Sequence, residues 1–248
     1  MALASTDELM SDLRSRLGDD GLDRVEECLR IFAGEVEPTY LHDDQEPTRL
    51  FFPGIEARPW FGPERFDWVP IVEAAFGPIR AELDALVSEQ ARFSPYEDPH
   101  TKELGWAGWE TFSLYRNGVV DEDAWRRCPA TVAALEATPH GPREAMFTTM
   151  RPGTHITPHT GGANPVLTCH LGLIVPPDCG IGVNGDVRTW QEGKCLVFDD
   201  SFMHEAWNRG PGMRAVLLWD VWHPDLSPKE IAALEILLPQ FVKAMGGF

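Results

Sequence analysis

The stretch "PHTGGANPVLTCHLGL" (residues 158–173) changes character halfway along. Its first half is rich in Gly and Pro and is typical of a loop, whereas its second half is an apolar run typical of a buried strand. Further short apolar runs, each bounded by turn residues, follow Trp106: "WETFSLYRNG", "AMFTTMRPGTH", "GIGVNGDVRTW", "GKCLVFDDS" and "MRAVLLWDVWH". With a hairpin turn at 184–186, these closely spaced runs predict an antiparallel β-barrel or jelly roll.

Helices are predicted to flank these strands. Leucines recur every four residues after Ser5 and Thr6, which predicts a capped first helix, and a second helix follows over 22–32. A long helix is predicted over 69–90, with Ile71, Phe76, Ile79, Leu83 and Leu86 on its buried side. Helices at 121–137 and 228–245 are expected to pack outside the barrel. The predicted division is an N-terminal helical extension, residues 1–48, and a mainly β domain with packed helices, residues 49–248.

The length and charge of the chain exclude several function classes. A chain of 248 residues suffices for one domain with a large core. Its net charge of −18 would repel nucleic-acid backbones and anionic membrane surfaces. No apolar stretch approaches the roughly 20 residues of a membrane span, and the start "MALASTDELM" lacks the features of an export signal. Five cysteines without a C-x-x-C pair favour reduced thiols, so we expect a cytoplasmic protein.

Three histidines and one arginine are the candidate functional residues. His159, His170 and His204 lie in or beside predicted strands, and inward-facing imidazoles from distant parts of a barrel can share one metal. The guanidinium of Arg214 would be costly inside a barrel unless it paired with an anion, and its fork suits a carboxylate. Alternatives stay open, because a lone histidine is more often a core or surface residue and Asp220 is an internal partner for Arg214.

Longer blocks of the sequence resemble a known family. In chain order they are "FFPGIEARPWFGP", "GWETFSLYRNG", "MRPGTHITPHTGG", "HLGLIVP", "TWQEGKCLVFDDSFMHEAWN" and "LLWDVWHPDLSP". These blocks, which run from about Arg49 to Pro228, resemble the oxygenase domain of the aspartyl/asparaginyl β-hydroxylase family. The resemblance implies a double-stranded β-helix core of the cupin-like jelly-roll type. It also implies an enzyme that depends on Fe(II), 2-oxoglutarate and dioxygen.

The resemblance implies a role for each candidate residue by its position. His159 and His204 correspond to the two iron ligands, and Arg214 corresponds to the residue that grips the distal carboxylate of 2-oxoglutarate. His170 resembles the histidine that contacts the other carboxylate of the co-substrate. Thr148 takes the place of a serine that helps to hold it. His170 is therefore not expected to be a third metal ligand.

A glycine stands where many iron oxygenases have a carboxylate ligand. Gly161 lies two residues after His159, where an Asp or Glu would complete a site of two histidines and one carboxylate. The family that the chain resembles also has glycine there. Because glycine removes both a ligand and a negative charge, we expect room for water or chloride at this position. Chlorination, as in superfamily members that lack the same carboxylate, stays an alternative to hydroxylation.

Two positions depart from the pattern of the family. Before the block "HLGLIVP" the β-hydroxylases carry two arginines, the first for the substrate carboxylate and the second for the co-substrate, where this chain has Val166 and Thr168. Without a cation at position 166, a buried aspartyl side chain would lack a partner. A small molecule, such as an amino acid, a carrier-bound intermediate or a nucleotide, is therefore the expected substrate. Thr168 keeps one hydrogen bond for 2-oxoglutarate.

The loop "SPYEDPHTKELGWAGW" (residues 94–109) holds most of the candidate substrate contacts. Its aromatic rings, histidine and lysine offer stacking, a donor and a cation, and the alternative is a solvated loop whose aromatics pack on the barrel. The candidates are Tyr96, His100, Lys102, Trp106 and Trp109, together with Arg116, Arg151 and Val166.

Three function hypotheses follow from these observations. Hydroxylation of an unactivated C–H bond of a small molecule is favoured by the close resemblance, and chlorination of such a molecule is the runner-up. A catalytically silent barrel that binds 2-oxoglutarate is the hypothesis from another class. A zinc hydrolase is weaker, because two histidines without a third strong ligand make a poor zinc site. A homo-oligomer is compatible with the sequence.

Overall fold

The structure is a computed structural model that describes residues 5–89, 91, 93–96 and 106–245. The helices are α1 (Thr6–Leu17), α2 (Asp23–Phe32), α3 (Val69–Ala74), α4 (Phe76–Ser88), α5 (Glu122–Arg127), α6 (Pro129–Glu136) and α7 (Pro228–Met245). The strands are β1 (Trp60–Phe61), β2 (Ser94–Pro95), β3 (Trp109–Arg116), β4 (Val119–Val120), β5 (His140–Met150), β6 (Thr154–His159), β7 (Val166–Ile174), β8 (Cys179–Val183), β9 (Asp186–Arg188), β10 (Cys195–Phe198), β11 (His204–Asn208) and β12 (Arg214–Trp222).

Two antiparallel sheets build a jelly roll. The larger sheet has the strand order β1-β10-β7-β12-β5-β3-β2 with β4 beside β3, and the smaller sheet has the order β6-β11-β8-β9. Apolar side chains from both sheets meet in one buried cluster, to which β5 contributes Met146 and Met150 and β8 contributes Ile181 and Val183. The predicted fold class, a mainly β double-stranded β-helix core with flanking helices, is confirmed.

The central strands β7 and β12 divide their side chains between two environments. Odd positions such as Leu171 and Leu217 pack with residues of α3 and α4 in the largest apolar cluster. Even positions such as His170 and Leu218 face the barrel interior, where they join Trp190. Because successive residues of a strand point to opposite faces, His170 lies on the face of β7 that is opposite to Leu171.

The two strands that carry the candidate metal histidines are not among the predicted strands. The sequence predicts a loop around His159 and a connection around His204, whereas the structure has β6 and β11 at these positions. These predictions were wrong because half of β6 is exposed and polar, and Pro158 is a residue that usually argues against a strand.

Two of the predicted helices are broken. The helix predicted over 69–90 divides at Ala75 into α3 and α4, and Ile71 is 52% exposed rather than buried. The helix predicted over 121–137 divides at Cys128, because Pro129 lacks the N–H group that would continue α5 and instead begins α6. The predicted helices at the N-terminus and at 228–245 are confirmed as α1, α2 and α7.

The N-terminal segment shares a core with the rest of the chain. Helices α1 and α2 pack with α7 in one apolar cluster. Residues 45–50, here called the N-terminal strap, then cross to the barrel. The backbone N–H of Glu46 donates to the carbonyl of Ser201 at 2.9 Å, and that of Thr48 donates to the carbonyl of Gly161 at 3.0 Å. The packing is therefore continuous across the predicted division at residue 48.

The described residues contain neither a membrane-spanning helix nor a disulfide. None of their helices combines the length and the apolar character needed to cross a bilayer. The five cysteines are buried free thiols. Burial raises the pKa of Cys195 to about 12, so this thiol stays protonated and acts as a small apolar core residue.

Candidate active site

The two candidate metal histidines lie side by side on paired strands. His159 ends β6 and His204 begins β11, and the two residues are directly opposite in the antiparallel register. Their ring centroids are 4.1 Å apart. Opposite residues of an antiparallel pair present their side chains to the same face, so the strand pairing itself brings the two imidazoles together.

Backbone carbonyl groups orient both rings. Nδ1 of His159 lies 2.8 Å from the carbonyl oxygen of Thr157, and Nδ1 of His204 lies 3.0 Å from that of Phe202. A carbonyl oxygen only accepts, so each Nδ1 carries a hydrogen and each Nε2 carries the lone pair. Burial lowers the pKa of His204, which favours the neutral form that binds metals. The pair is arranged to offer two imidazole nitrogens to one cation.

An arginine without an acidic partner among the described residues is buried at the start of β12. Arg214 is 2% exposed, its Nη1 donates to Oγ1 of Thr148 at 3.1 Å, and its guanidinium lies 4.6 Å from the ring centroid of Trp190. Its Nε has no hydrogen-bond partner among the residues that the structure describes. Burial lowers the pKa of Arg214 to about 9, as expected for a cation without a counter-charge. Asp220, the alternative partner, instead accepts hydrogen bonds from two backbone N–H groups of β5.

His170 adds a second buried donor to this pocket. Its Nδ1 accepts from Nε1 of Trp190 at 3.1 Å, so the hydrogen of the neutral ring is on Nε2. That Nε2 is buried and has no partner among the described residues. Burial, with a contribution from the charge of Arg214, holds the pKa of His170 well below its usual range. Two buried donors without acceptors fit a ligand with carboxylate groups, such as 2-oxoglutarate.

Asp200 and Arg143 form a buried ion pair that the sequence does not predict. Nη1 of Arg143 donates to Oδ2 of Asp200 at 2.7 Å, and its Nη2 donates to Oγ1 of Thr168 at 2.7 Å. The Thr168 hydroxyl in turn donates to Asp200 at 3.0 Å, so its hydrogen is not left for 2-oxoglutarate as the sequence predicts. Burial alone would raise the pKa of Asp200, but Arg143 lowers it below its ordinary value, so the carboxylate is ionised.

The carboxyl group of Asp200 fills the space beside Gly161. A Cβ atom at position 161 would collide with that group, and the N–H of Gly161 donates to the backbone carbonyl of Asp200 at 2.6 Å. The space directly beside this glycine is therefore filled by a carboxylate rather than open, and a carboxylate disfavours a neighbouring anion such as chloride. Within the described ranges no three His, Cys, Asp or Glu side chains are grouped to hold a metal ion.

Three aromatic residues, here called the aromatic wall, extend from the histidine pair. The ring centroid of Trp106 is 4.5 Å from that of His159 and 5.5 Å from that of Trp109. Tyr96 stacks on Trp109 at 4.0 Å, and the guanidinium of Arg116 lies 5.0 Å from the Tyr96 ring. The structure thus brings four of the candidate substrate residues together beside one of the candidate metal histidines.

The remaining candidate substrate residues are placed elsewhere or are not described. Arg151 is paired with Glu110 at 2.7 Å, and its side chain is 67% exposed. Val166 is fully buried in the apolar cluster that contains α1, α2 and α7. An arginine held in solvent and a valine held in the core do not join the aromatic wall, so neither supports the predicted substrate contact. His100 and Lys102 lie outside the described residues.

Comparisons with known proteins identify the family of the chain. The sequence profile of a family described as aspartyl/asparaginyl beta-hydroxylase matches residues 73–224. The aspartyl/asparaginyl beta-hydroxylase of Homo sapiens is 36% identical over 189 residues, which cover 73% of this chain and 25% of that protein. An ornithine lipid ester-linked acyl 2-hydroxylase of Rhizobium tropici is 39% identical over 189 residues, which cover 74% of this chain and 67% of that protein.

Solved structures give a more distant likeness. A prolyl-4-hydroxylase of Pseudomonas putida aligns with a TM-score of 0.41 and 14% identity, over 59% of this chain and 87% of that chain. The chain matches only a quarter of the length of the human relative. The profile match covers more than half of the chain, and relatives above 30% identity cover more than two thirds of it. The chain belongs to the aspartyl/asparaginyl β-hydroxylase family.

Proposed function

We propose that the chain is an Fe(II)- and 2-oxoglutarate-dependent oxygenase that hydroxylates an unactivated C–H bond of a small molecule. The observation that carries this proposal is the pair His159 and His204, whose rings lie 4.1 Å apart with each Nδ1 held by a backbone carbonyl. Fe(II) with 2-oxoglutarate and dioxygen supplies the oxidising chemistry when bound, and the residues of the chain bind, orient and exclude water.

Arg214, His170 and Thr148 are the proposed holders of 2-oxoglutarate. Among the described residues, neither Nε of buried Arg214 nor Nε2 of buried His170 has a hydrogen-bond partner. A buried cation without a counter-charge is unfavourable until an anion arrives, so this pocket selects a dicarboxylate over a neutral ligand. Trp190 fixes the tautomer of His170, because its indole N–H occupies Nδ1 and leaves the ring hydrogen on Nε2.

The aromatic wall is the proposed substrate surface. Trp106 lies nearest to a metal histidine, with its ring centroid 4.5 Å from that of His159. Indole and phenol rings recognise flat or apolar groups by stacking and contact area. Val166 is in the core and supplies no cation for an aspartyl carboxylate. The substrate is therefore a small molecule whose reacting carbon belongs to a flat or apolar group.

Hydroxylation is preferred to chlorination because of Asp200. Its ionised carboxyl group lies beside Gly161, next to the position at which chloride would bind. Two anions in neighbouring buried positions repel each other. Turnover in the presence of chloride should thus give an alcohol, and a chlorine isotope pattern in the product would overturn this preference.

A pair of histidine variants tests the metal site. His204→Ala should abolish Fe(II) binding and the release of succinate from 2-oxoglutarate. His155→Ala is the matched control, since His155 lies on β6 near His159 but pairs with Glu205 at 2.7 Å and is 44% exposed. The control should keep both properties.

Two outcomes would contradict the proposal. Succinate release at the wild-type rate in His204→Ala would contradict the assignment of His204 as a metal ligand. Binding of 2-oxoglutarate by the wild type without any succinate release, with Fe(II) and dioxygen present, would favour a silent binding barrel.

A further inference from the structure

Asp200 stands at the edge of the histidine pair and is held there by two polar groups. Its Oδ2 accepts from Nη1 of Arg143 at 2.7 Å and from Oγ1 of Thr168 at 3.0 Å. Its Oδ1 is buried and has no hydrogen-bond partner among the described residues. The same carboxyl group lies against Gly161, two residues after His159. An ionised carboxylate with one unsatisfied oxygen therefore borders the proposed metal site.

This arrangement differs in one respect from the usual set of metal ligands in an iron oxygenase, because its carboxylate is held by other side chains. Two imidazoles and one carboxylate on one face of Fe(II) are that usual set. Within the described ranges no such group of three is formed, although Asp200 is adjacent. The charge of Asp200 is already matched by Arg143. If the carboxylate turned towards a metal, it would lose an ion pair and a hydrogen bond in a buried place.

We infer that Arg143 and Thr168 hold the carboxylate of Asp200 out of the coordination sphere of the metal, so that the site keeps two protein ligands instead of three. The inference rests on the proposed function, because it takes His159 and His204 as the ligands. Arg143 is thus a positioning residue that acts through Asp200. Without its guanidinium, the buried charge of Asp200 lacks a counter-charge, and a divalent cation at the adjacent imidazoles becomes its best partner.

Metal affinity tests the inference without turnover. Co(II), a probe that does not need protection from oxygen, is titrated into the full chain in the absence of 2-oxoglutarate. Arg143→Met should bind Co(II) about tenfold more tightly than the wild type, because Asp200 becomes a third ligand. The double variant Arg143→Met with Asp200→Asn should return to the wild-type affinity. Asp200→Asn alone should leave the affinity unchanged, since this carboxylate is not a ligand in the wild type.

Thr168→Val is a milder variant that keeps the ion pair and removes one hydrogen bond to Asp200. It should tighten Co(II) binding in the same direction by a smaller factor, and it keeps the test open if Arg143→Met does not fold. Unchanged or weaker binding in the variants that fold would overturn the inference. So would a gain that survives Asp200→Asn, or a loss of affinity in Asp200→Asn alone.

The histidine variant separates this inference from the proposed function. His204→Ala should lose Co(II) binding. If it does and Arg143→Met shows no gain, only the role of Arg143 fails. If His204→Ala binds Co(II) as the wild type does, the proposed metal site fails and the inference fails with it.

Discussion

Two arginines are buried inside the same barrel, and their surroundings are opposite. Arg143 is 8% exposed and donates to the carboxylate of Asp200, whereas Arg214 is 2% exposed and meets a hydroxyl, a thioether and an indole ring. Burial alone would lower both pKa values. The neighbouring acids raise the pKa of Arg143 above its ordinary value, while nothing comparable acts on Arg214, whose pKa falls to about 9.

The difference distinguishes a cation that stabilises the fold from a cation that can bind an anionic ligand. A buried charge that already has its partner contributes to the fold and has little to offer a ligand. A buried charge that has no acidic partner among the described residues makes the fold less stable and makes the pocket bind an anion more strongly. By this reasoning Arg143 stabilises the structure of the site, whereas Arg214 is available to bind a ligand. The predictions below test that contrast.

The largest expected effect is on folding. Arg143→Met should lower the free energy of unfolding by about 3–5 kcal/mol in the absence of metal, because Asp200 is left as an uncompensated buried charge. Urea denaturation measures this change. Arg214→Met is the matched control, and its free energy of unfolding should stay the same or rise. Equal losses of unfolding free energy in the two variants would contradict the proposed difference between Arg143 and Arg214.

The next effect is on ligand binding. Arg214→Met should weaken 2-oxoglutarate binding to the Co(II)-loaded protein on the order of 100-fold, because the buried charge pair between ligand and protein is lost. Isothermal titration calorimetry gives the dissociation constant. Arg188→Met, at a partly exposed arginine paired with Asp186, should bind as the wild type does. An Arg214→Met protein with wild-type affinity would show that this cation does not grip the co-substrate.

The same contrast applies to the neighbouring carboxyl groups of Asp199 and Asp200. Burial raises the pKa of Asp199 from the ordinary 3.8 to about 7, and the hydrogen bonds from Ser201 and Gln45 offset only part of that rise. Between about pH 4 and 7 the folded state holds a proton that the unfolded chain has released, so this group makes stability fall as the pH rises.

Asp199→Asn should remove that slope, which amounts to at most about 1.4 kcal/mol per pH unit. Urea denaturation at pH 5 and at pH 8 measures it. Asp200→Asn is the control, because the pKa of Asp200 is lowered and its contribution to stability is lost only below about pH 4, so this variant should keep the wild-type difference between pH 5 and pH 8. A pH dependence unchanged by Asp199→Asn would contradict the assignment.

The smallest expected effect comes from the group that orients His170. Trp190→Phe removes the N–H that donates to Nδ1 and should weaken 2-oxoglutarate binding by about one hydrogen bond, roughly 1 kcal/mol. Trp60→Phe is the matched control, since it also removes a buried indole N–H, one that donates to the backbone carbonyl of Asp186 at 3.3 Å and not to His170. Only the first variant should change the dissociation constant.

Much of the fold could be predicted because its central strands are buried on both faces. The sequences of strands β7 and β12 are mostly continuous apolar runs, a pattern that is typical of buried strands and not of surface loops. Strands β6 and β11 lie in the smaller sheet, and only some of their residues are buried, so their apolar pattern is too weak to predict. The positions of His159 and His204 could be identified, but their adjacency depends on the pairing of these two strands.

The ion pair of Arg143 and Asp200 could not be predicted for a different reason. Arg143 stands in "GPREAM" (residues 141–146), a polar and proline-containing stretch that is typical of an exposed turn. Its partner is distant in sequence, and only the sheet order brings the two together. The acidic pair in "FDDSF" (residues 198–202) was a signal that sequence reasoning could have used, since it places two adjacent acids close in sequence to the candidate metal ligand His204.

The N-terminal strap has a consequence for how family members can be compared and recombined. Glu46 and Thr48 are bonded to the loops that carry Asp200 and Gly161, and Gln45 donates to Asp199 at 2.7 Å. A chimera that joins the helices of one relative to the barrel of another at residue 48 would change the residues that make these hydrogen bonds. It would keep both His159 and His204. Metal affinity should therefore follow the origin of the strap as well as that of the barrel.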